Sequence, residues 1–457
     1  MSTANTPVAR VVPGHPITRN RVLSLGLAMY FSGVSVAFAQ EASPESIAEL
    51  RNEISALRKE QAERELRLQR LEATLQRIAG PATTASGVVA QQPRAQAHVV
   101  APTSTQKAES VSSPGNGWPS RLKVSGDLRI RGQGDRSDNV SNRGSMQVRG
   151  RLGATLSVDE DILIGARIVT GDGDDPNSAD IQLSNWVNDL EVSLDQAYIQ
   201  YSVKNWTLYG GKLPQPFVRT DLVWDGDVNP QGVAAIWRKP LAAGGSLRVN
   251  GLAFIVNELS DLPDTTMLGG QVGYFSPKYG DWQFDVHGAY YHYDVGSMSG
   301  ADSGDWRSNL RTPDGNYLSD FHLVDALAGV SWFGLGERWP VRLVVDHVLN
   351  LGARTDADSG HSADLAIGRA TASGDWRVTY GYAMAQNDAV LAAFSHDNMS
   401  IATNYRLHGL TLDYVPTPNT MLSAYWYRYR PYDLQYSGGG HVGTWSDRLR
   451  LAFLVSF

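Results

Sequence analysis

Residues 445–457 read W-S-D-R-L-R-L-A-F-L-V-S-F, and this stretch decides the fold. One parity is apolar and comprises Trp445, Leu449, Leu451, Phe453, Val455 and Phe457. The other is polar or small and comprises Ser446, Arg448, Arg450, Ala452 and Ser456. A period of two with two different faces predicts a β-strand that lies between an apolar and a polar environment. A soluble sandwich could contain such a strand, so the rest of the chain must distinguish the two folds.

The composition favours a β protein without cysteine chemistry. The 457 residues include 45 glycines, 19 tyrosines and 12 tryptophans but no cysteine, and the net charge is −7. Disulfides, thiolate catalysis and cysteine metal sites are therefore excluded. Beyond the first 40 positions, the sequence has no apolar run of about 18 residues, so no membrane-spanning helix is expected in the mature chain.

Three segments precede the strands. Residues 1–39 have the basic start, apolar centre and A-F-A ending of an export signal peptide, although a short membrane anchor is the alternative. Within residues 40–79, Ile and Leu recur at steps of three and four, which predicts a coiled-coil helix, or else a single amphipathic helix lying on the barrel. Residues 80–120 are rich in Pro, Ala, Ser, Thr and Gln, which indicates a disordered linker.

From residue 121 onward, apolar and polar residues alternate in one predicted strand after another. The predicted strands number about sixteen, an even count as in single-chain bacterial barrels. The predicted spans are 122–131, 146–157, 161–170, 191–202, 205–213, 231–239, 246–256, 265–275, 281–292, 321–333, 340–350, 361–371, 375–385, 401–415, 420–430 and 445–457. Parity breaks near 195–201 and 407–412, where we expect bulges.

The connections between these strands are alternately short and long. The long ones are 132–145, 171–190, 214–230, 257–264, 294–320, 351–360, 386–400 and 431–444. A barrel of this size has an interior too wide for side chains to fill, so the polar face must line water and the apolar face must meet lipid. The predicted fold is therefore all-β: a transmembrane antiparallel β-barrel over residues 121–457, preceded by a short periplasmic coiled-coil helix.

Several motifs resemble a family of putative outer-membrane porins of Gram-negative bacteria. They are G-K-L-P-Q-P-F at 211–217, T-D-L-V-W-D-G-D-V-N-P at 220–230, R-G-R-L at 149–152, A-R at 166–167, T-G-D-G-D-D-P at 170–176 and L-D-Q-A-Y at 194–198. The terminal aromatic strand also resembles the last strand of outer-membrane barrels. The resemblance implies passive diffusion of small solutes or ions and an outer-membrane lipid surround.

The third long loop, 214–230, is the predicted constriction, because in the general porins that this arrangement resembles the third external loop narrows the lumen. Its candidate residues are Arg219, Asp221, Trp224, Asp225 and Asp227, with Phe217 and Trp224 anchoring the loop to the wall. The alternative is an ordinary external loop, although long loops in compact folds are usually functional.

Arginines at lumen positions are the predicted pore-lining residues. They are Arg129, Arg149, Arg151, Arg167, Arg342 and Arg377. Facing an acidic loop, they would create a transverse field that favours polar or anionic solutes. Alternatively, each guanidinium is paired with a wall carboxylate such as Asp127 or Asp346.

Other features are weaker. The G-D-G-D-D run at 171–175 resembles part of a calcium loop but lacks its closing Glu, and an acidic solvated loop is the alternative. We expect aromatic girdles formed by Trp224, Trp237, Trp282, Trp332, Trp339, Trp376, Trp426 and Trp445. We expect no cofactor, metal or nucleic acid.

The rival functions are a structural or adhesive barrel anchored through the coiled coil and, less favoured, a barrel-wall hydrolase, for which scattered histidines offer no nucleophile motif. An energy-coupled receptor would need about 22 strands. A homo-oligomer joined by the coiled coil is expected, and a trimer is favoured from the resemblance to porins.

Overall fold

The computed structural model describes residues 120–457 and the backbone of Val99–Val100. Gaps in this description fall at 138–139, 172, 174–177, 184–190, 243 and 437–442. The predicted signal peptide, coiled coil and linker lie outside the described residues, except for Val99–Val100 and residue 120.

Within the described part of the chain, sixteen strands form one closed antiparallel barrel. They are β1 (Leu122–Ser137), β2 (Val140–Ser157), β3 (Ile162–Thr170), β4 (Val192–Val203), β5 (Trp206–Lys212), β6 (Gln231–Pro240), β7 (Ser246–Asn257), β8 (Thr265–Phe275), β9 (Trp282–Val295), β10 (Phe321–Trp332), β11 (Val341–Asn350), β12 (Ser359–Gly368), β13 (Trp376–Ala385), β14 (Tyr405–Tyr414), β15 (Thr420–Pro431) and β16 (Ser446–Ser456). The predicted fold class and strand number are confirmed.

The other elements are short. Val99–Val100 pairs antiparallel with Arg219–Thr220, and Ile181–Gln182 extends the sheet beside β2. A one-turn helix, α1, covers Ser303–Trp306, and 3-10 turns cover Ala392–Phe394 and Leu434–Tyr436. No helix among the described residues is long and apolar enough to cross a membrane.

The last strand closes the barrel. β16 pairs with β1 in a continuous register from Ser446 opposite Ser137 to Ser456 opposite Asp127. Beyond this ladder, Phe457 and Gly126 exchange two backbone hydrogen bonds of 3.0 Å. A Cβ on Gly126 would lie 2.6 Å from both the Phe457 ring and the Arg151 carbonyl, so this position accommodates the terminal aromatic side chain only as glycine.

The two faces of the barrel differ as predicted. In β16, Leu449 and Leu451 are 59% and 69% exposed, whereas Arg448 and Arg450 are 9% and 4% exposed. The exposed parity of the other strands is likewise mainly apolar, and the polar parity points into the lumen. An apolar exterior is the arrangement that a lipid surround requires.

The largest connections lie at one rim, but the predicted alternation of short and long connections is not strict, because 351–358 is no longer than 333–340. The first long loop is tighter than predicted, because β1 and β2 extend as a paired ribbon as far as Ser137 and Val140. The seventh extends to residue 404, because β14 begins at Tyr405. We call the third loop L3 (213–230) and the seventh L7 (386–404).

Of the two predicted bulges, one is confirmed and one is wrong. Arg167 pairs with Gln196 and Ile168 with Leu194, which leaves Asp195 as the extra residue. Consequently Asp195 and Gln196 both contact Asn229 of L3. Residues 407–412 keep a regular register with both neighbouring strands.

Aromatic residues gather at the short-turn rim. Trp282 and Trp332 have ring centroids 6.0 Å apart, and Trp206 and Trp237 have theirs 6.5 Å apart. The assignment of Trp224 to a girdle was wrong. Its side chain has 0% exposure because L3 carries it into the lumen.

Candidate pore constriction

Two long loops fold into the lumen and meet there. One buried cluster contains Trp224 and Phe217 of L3, Leu391 and Phe394 of L7, and inward side chains of β7 to β15 such as Tyr291. The sequence prediction singled out L3 but not L7. The apolar run A-V-L-A-A-F at 389–394, inside a supposedly solvated loop, was the signal that could have found it.

Hydrogen bonds attach L3 to the wall at β7 and β8. Arg248 donates from Nη2 to the Pro216 carbonyl at 2.7 Å. The Gln271 side chain accepts from Val218 N at 2.8 Å and donates to Val218 O at 2.7 Å, which imitates a strand pairing. These bonds satisfy the loop backbone where no sheet neighbour is available.

Trp224 is the centre of the aromatic packing. Its ring centroid lies 5.6 Å from that of Tyr291 on β9 and 5.5 Å from that of Phe394 on L7. Phe217 completes the contact with Tyr291 at 5.1 Å, edge to face. Stacked and edge-to-face rings at these separations add stability beyond the area they bury.

Backbone hydrogen bonds join L7 directly to L3. Asp225 N donates to Phe394 O at 2.7 Å, and His396 N donates to Asp221 O at 3.2 Å. The Ser395 hydroxyl donates to Leu222 O at 3.3 Å. L7 therefore holds the tip of L3 through its backbone as well as through the ring of Phe394.

The fifth loop, 296–320, supports L7 in turn. Asn309 donates from Nδ2 to Asn387 O at 2.7 Å and accepts at Oδ1 from Ala392 N at 2.7 Å. Asp388 accepts from Leu310 N at 2.9 Å and from the Ser319 hydroxyl at 2.6 Å. L7 is thereby fixed at both its outer end and its tip.

The far end of L3 is attached to the arginines of β2. Asp227 lies 3.7 Å from Arg149 Nη1 and 3.4 Å from Arg151 Nη1. Asp127 of β1 lies 3.1 Å from Arg149 and 2.8 Å from Arg151. Two arginines and two aspartates therefore form one network between the wall and the loop.

The other predicted arginines are also beside carboxylates. Arg129 pairs with Asp180 of the second loop, and Arg167 with Asp195. Arg342 and Arg377 lie on strands remote from the network, at 2.9 Å from Asp285 and 2.6 Å from Asp413. All six guanidiniums are thus inside the barrel and paired, as the alternative interpretation had it. The suggestion that Asp346 pairs with one of these arginines was wrong, because Asp346 accepts a hydrogen bond from Thr220 of L3 instead.

Arg219 has a local role. Its Nη1 donates to the Trp224 carbonyl at 2.6 Å and lies 3.5 Å from Asp221. These contacts stabilise the turn of L3 internally. Along the loop, Asp221, Asp225 and Asp227 follow one another in the direction of β2.

The predicted set missed several lumen arginines, Arg248 of β7 among them. Arg131 lies 2.8 Å from Asp180, and Arg448 lies 2.5 Å from Asp135. Arg450 donates to Asn398 of L7 at 2.8 Å. The arginine wall therefore continues from β2 through β1 to β16, where L7 replaces L3 as its counterpart. The inward parity of residues 448 and 450 was the available signal.

Asp225 and Asp227 have opposite electrostatic environments. Burial and the neighbouring carboxylates of Asp397, Asp221 and Asp227 raise the pKa of Asp225 well above its ordinary value. Burial also acts on Asp227, but Arg149 and Arg151 outweigh it and lower its pKa to about 2. Of these two aspartates, Asp227 therefore carries the fixed negative charge, and it lies next to the arginines.

Residues 172, 174 and 175 of the suggested calcium loop lie outside the described residues. Among the described residues, no group of three or more His, Asp or Glu side chains has metal-binding geometry.

Residues 136–305 match the model of a family described as a putative porin. Over these residues the chain resembles that family. The sequence resemblance is therefore confirmed over those residues, which include the arginines of β2 and the whole of L3. No curated protein sequence matches the chain significantly.

Solved structures resemble the barrel of this chain. OprB of Pseudomonas putida at high pH matches with a TM-score of 0.50 and 14% identity, covering 74% of this chain and 95% of that one. OmpF of Salmonella typhi in complex with daunomycin matches with a TM-score of 0.47 and 10% identity, covering 74% and 97%. The likeness to OprB supports the fold, a closed antiparallel barrel, and nothing beyond it.

Proposed function

We propose that this porin barrel conducts small polar and anionic solutes by passive diffusion through a lumen that L3 constricts. The observation that carries the proposal is the position of L3. The loop leaves the wall after β5, is fixed to β7, β8 and β9 by Pro216, Val218 and Phe217, and reaches the arginines of β2 through Asp227. A loop attached to both sides of a barrel narrows the space between them.

The charges around this loop support a transverse field rather than a simple surplus of one sign. Arginines occupy β2, β1 and β16, and the carboxylate of Asp227 opposes them from L3. Such a field orients the dipole of a polar solute as it passes. Because the arginines are largely paired, we expect modest rather than strong selectivity for anions.

The experiment is a measurement of reversal potential in planar bilayers under a salt gradient. Arg149→Glu with Arg151→Glu should move the reversal potential toward cations, because it replaces two positive charges by two negative ones. Arg342→Gln is the control, because it removes one paired arginine of β11 that lies outside the network of β1, β2 and Asp227, and it should have a smaller effect. A reversal potential unchanged by the double substitution would place these residues outside the conduction path.

We propose further that the barrels associate as a homo-oligomer, with a trimer as the favoured number, through a periplasmic coiled coil in residues 40–79 after removal of the signal peptide 1–39. The heptad-like spacing of Ile and Leu in that segment supports the proposal. The linker 80–120 would let the coil assemble without fixing the spacing of the barrels.

A further inference from the structure

A group of basic side chains lies on the outer face of the barrel, near the rim that carries the long loops. It comprises Arg406 and His408 of β14 and Arg428 and Arg430 of β15, and we call it the rim cluster. The neighbouring residues Leu407, Tyr427 and Tyr429 are buried in the lumen. Since successive side chains of a strand point to opposite faces, the four basic side chains point outward.

The register sets two arginines of the rim cluster against each other, because Arg406 is directly opposite Arg430. His408 is directly opposite Arg428, and its Nδ1 lies 2.8 Å from the Tyr380 hydroxyl. Like charges at directly opposed positions of antiparallel strands destabilise the pairing. Such an arrangement is unfavourable by itself and becomes favourable when an anion lies between the charges.

The described residues supply little negative charge to the rim cluster. One ion pair reaches it, between Arg428 Nη1 and Asp447 Oδ1 at 3.9 Å, and Asp447 also accepts a 2.9 Å hydrogen bond from Trp426. The Nε atom of Arg430 is buried without a hydrogen-bond partner. The undescribed part of the adjacent loop, S-G-G-G-H-V at 437–442, contains no acidic residue.

Aromatic rings orient the guanidinium groups. Arg430 lies 4.8 Å and Arg428 5.7 Å from the ring centre of Trp445, and Arg406 lies 4.7 Å from that of Tyr432. A stacked guanidinium keeps its N–H edge available, and this planar fork of donors matches the oxygens of a phosphate group.

The surface beneath the rim cluster is apolar. Leu410 and Leu412 continue the outward parity of β14, and Leu449 and Leu451 that of β16, and all four are exposed. Cations at the rim above a continuous hydrocarbon-like surface suit an amphiphile with an anionic head and acyl chains. A free anion would contact the rim cluster but not the apolar surface beneath it.

We infer that the rim cluster binds the phosphate groups of a phosphorylated glycolipid of the outer leaflet, whose acyl chains lie along β14 to β16. The inference rests on the proposed function, taken as that of a porin in the bacterial outer membrane. It concerns the outer face alone, so substitutions in the rim cluster should leave channel conductance unchanged.

The test is a titration of the purified, detergent-solubilised full chain with bis-phosphorylated lipid A, with bound lipid counted by native mass spectrometry. Arg406→Gln with Arg430→Gln should weaken binding at least tenfold. Lys204→Gln with Lys239→Gln removes two exposed charges at the opposite rim and should bind as the wild type does. Lipid A without phosphates should bind the wild type and the rim double variant equally weakly.

A second variant protects the test against misfolding. Arg406→Lys with Arg430→Lys keeps both charges but loses the planar forks, so its affinity should fall between those of the wild type and the glutamine variant. Lipid binding equal to the wild type in both folded variants would overturn the inference. Displacement of the lipid by millimolar inorganic phosphate would also overturn it, because the cluster would then bind a free anion. Loss of oligomers by the glutamine variant in lipid-free detergent would overturn it as well, because the cluster would then be a contact between copies of the chain. Unchanged conductance alongside lost lipid binding would separate this inference from the proposed function.

Discussion

Replacing Asp227 by Asn should make the channel more selective for anions. The substitution preserves the size of the side chain and one acceptor oxygen, so the loop can keep its position. It removes the negative charge that lies 3.7 Å from Arg149 Nη1 and 3.4 Å from Arg151 Nη1. The two arginines then share the carboxylate of Asp127 alone, and the constriction gains one positive charge.

The size of the effect follows from Coulomb's law. For an ion that passes about 8 Å from Asp227 in water, one unit charge changes its energy by about 0.5 kcal/mol. That change favours an anion by a factor of about two and disfavours a cation by a similar factor, so the permeability ratio should change about fivefold. Lower local permittivity in the narrow lumen would enlarge this value.

The assay is the reversal potential of single channels in a tenfold salt gradient at neutral pH. Asp225→Asn is the matched control, because it makes the same chemical change two residues away in the same loop. Burial and neighbouring carboxylates raise the pKa of Asp225, which favours its neutral form. Its Oδ1 accepts a 2.8 Å hydrogen bond from Asp227 N, which an Asn oxygen can keep. The control should therefore shift the reversal potential much less than Asp227→Asn does.

Equal shifts in the two variants would refute the assignment of the loop's fixed charge to Asp227. No shift in Asp227→Asn, with the single-channel current intact, would show that permeating ions do not pass the network of L3 and β2.

Four other predictions follow from the structure and the sequence. The difference in selectivity between wild type and Asp227→Asn should persist at pH 4 and disappear near pH 2. The pKa of Asp227 is lowered to about 2, so its charge is lost only as the pH falls through that value. Disappearance of the difference by pH 5 would contradict this prediction. Trp224→Ala should lower the free energy of unfolding by about 3–5 kcal/mol, because a large buried aromatic side chain is removed. Heat-modifiability gels should then show unfolding of the barrel at a lower temperature, and Trp282→Ala at the exposed rim should lower that temperature less. Deleting Phe457 removes the two hydrogen bonds that extend the closing ladder, and should reduce the yield of folded barrel; normal yield at ordinary expression would count against this role. The excised peptide 41–80 should self-associate in analytical ultracentrifugation, and a monomer at high micromolar concentration would exclude the coiled coil.

The wall of the barrel was predictable because its determinants are local. A strand between lipid and water must alternate apolar and polar side chains. The alternation in the sequence 445–457 matches the alternate exposure and burial that the structure shows for β16. The bulge at Asp195 was visible for the same reason, since an extra residue interrupts the parity. At 407–412 the same reasoning failed, because the inward Leu407 packs in the lumen cluster and the outward His408 belongs to the rim cluster.

The interior was less predictable because it depends on contacts between distant loops. L3 could be located by its motif and its place in the order of strands, but the contribution of L7 arises from Phe394 meeting Trp224 across 170 positions of sequence. The pairing of each arginine likewise depends on the inter-strand register. Parity places Arg149 in the lumen, but it does not indicate that Asp227 lies beside it.

The central claim is that the folded barrel is an ion-conducting pore constricted by L3, and single-channel recording of the purified protein in planar bilayers tests it most directly. We predict stable, discrete open steps in wild type, and larger steps when Trp224→Ala weakens the attachment of L3. Folded, heat-modifiable protein that inserts into the bilayer without producing discrete current steps would contradict the claim.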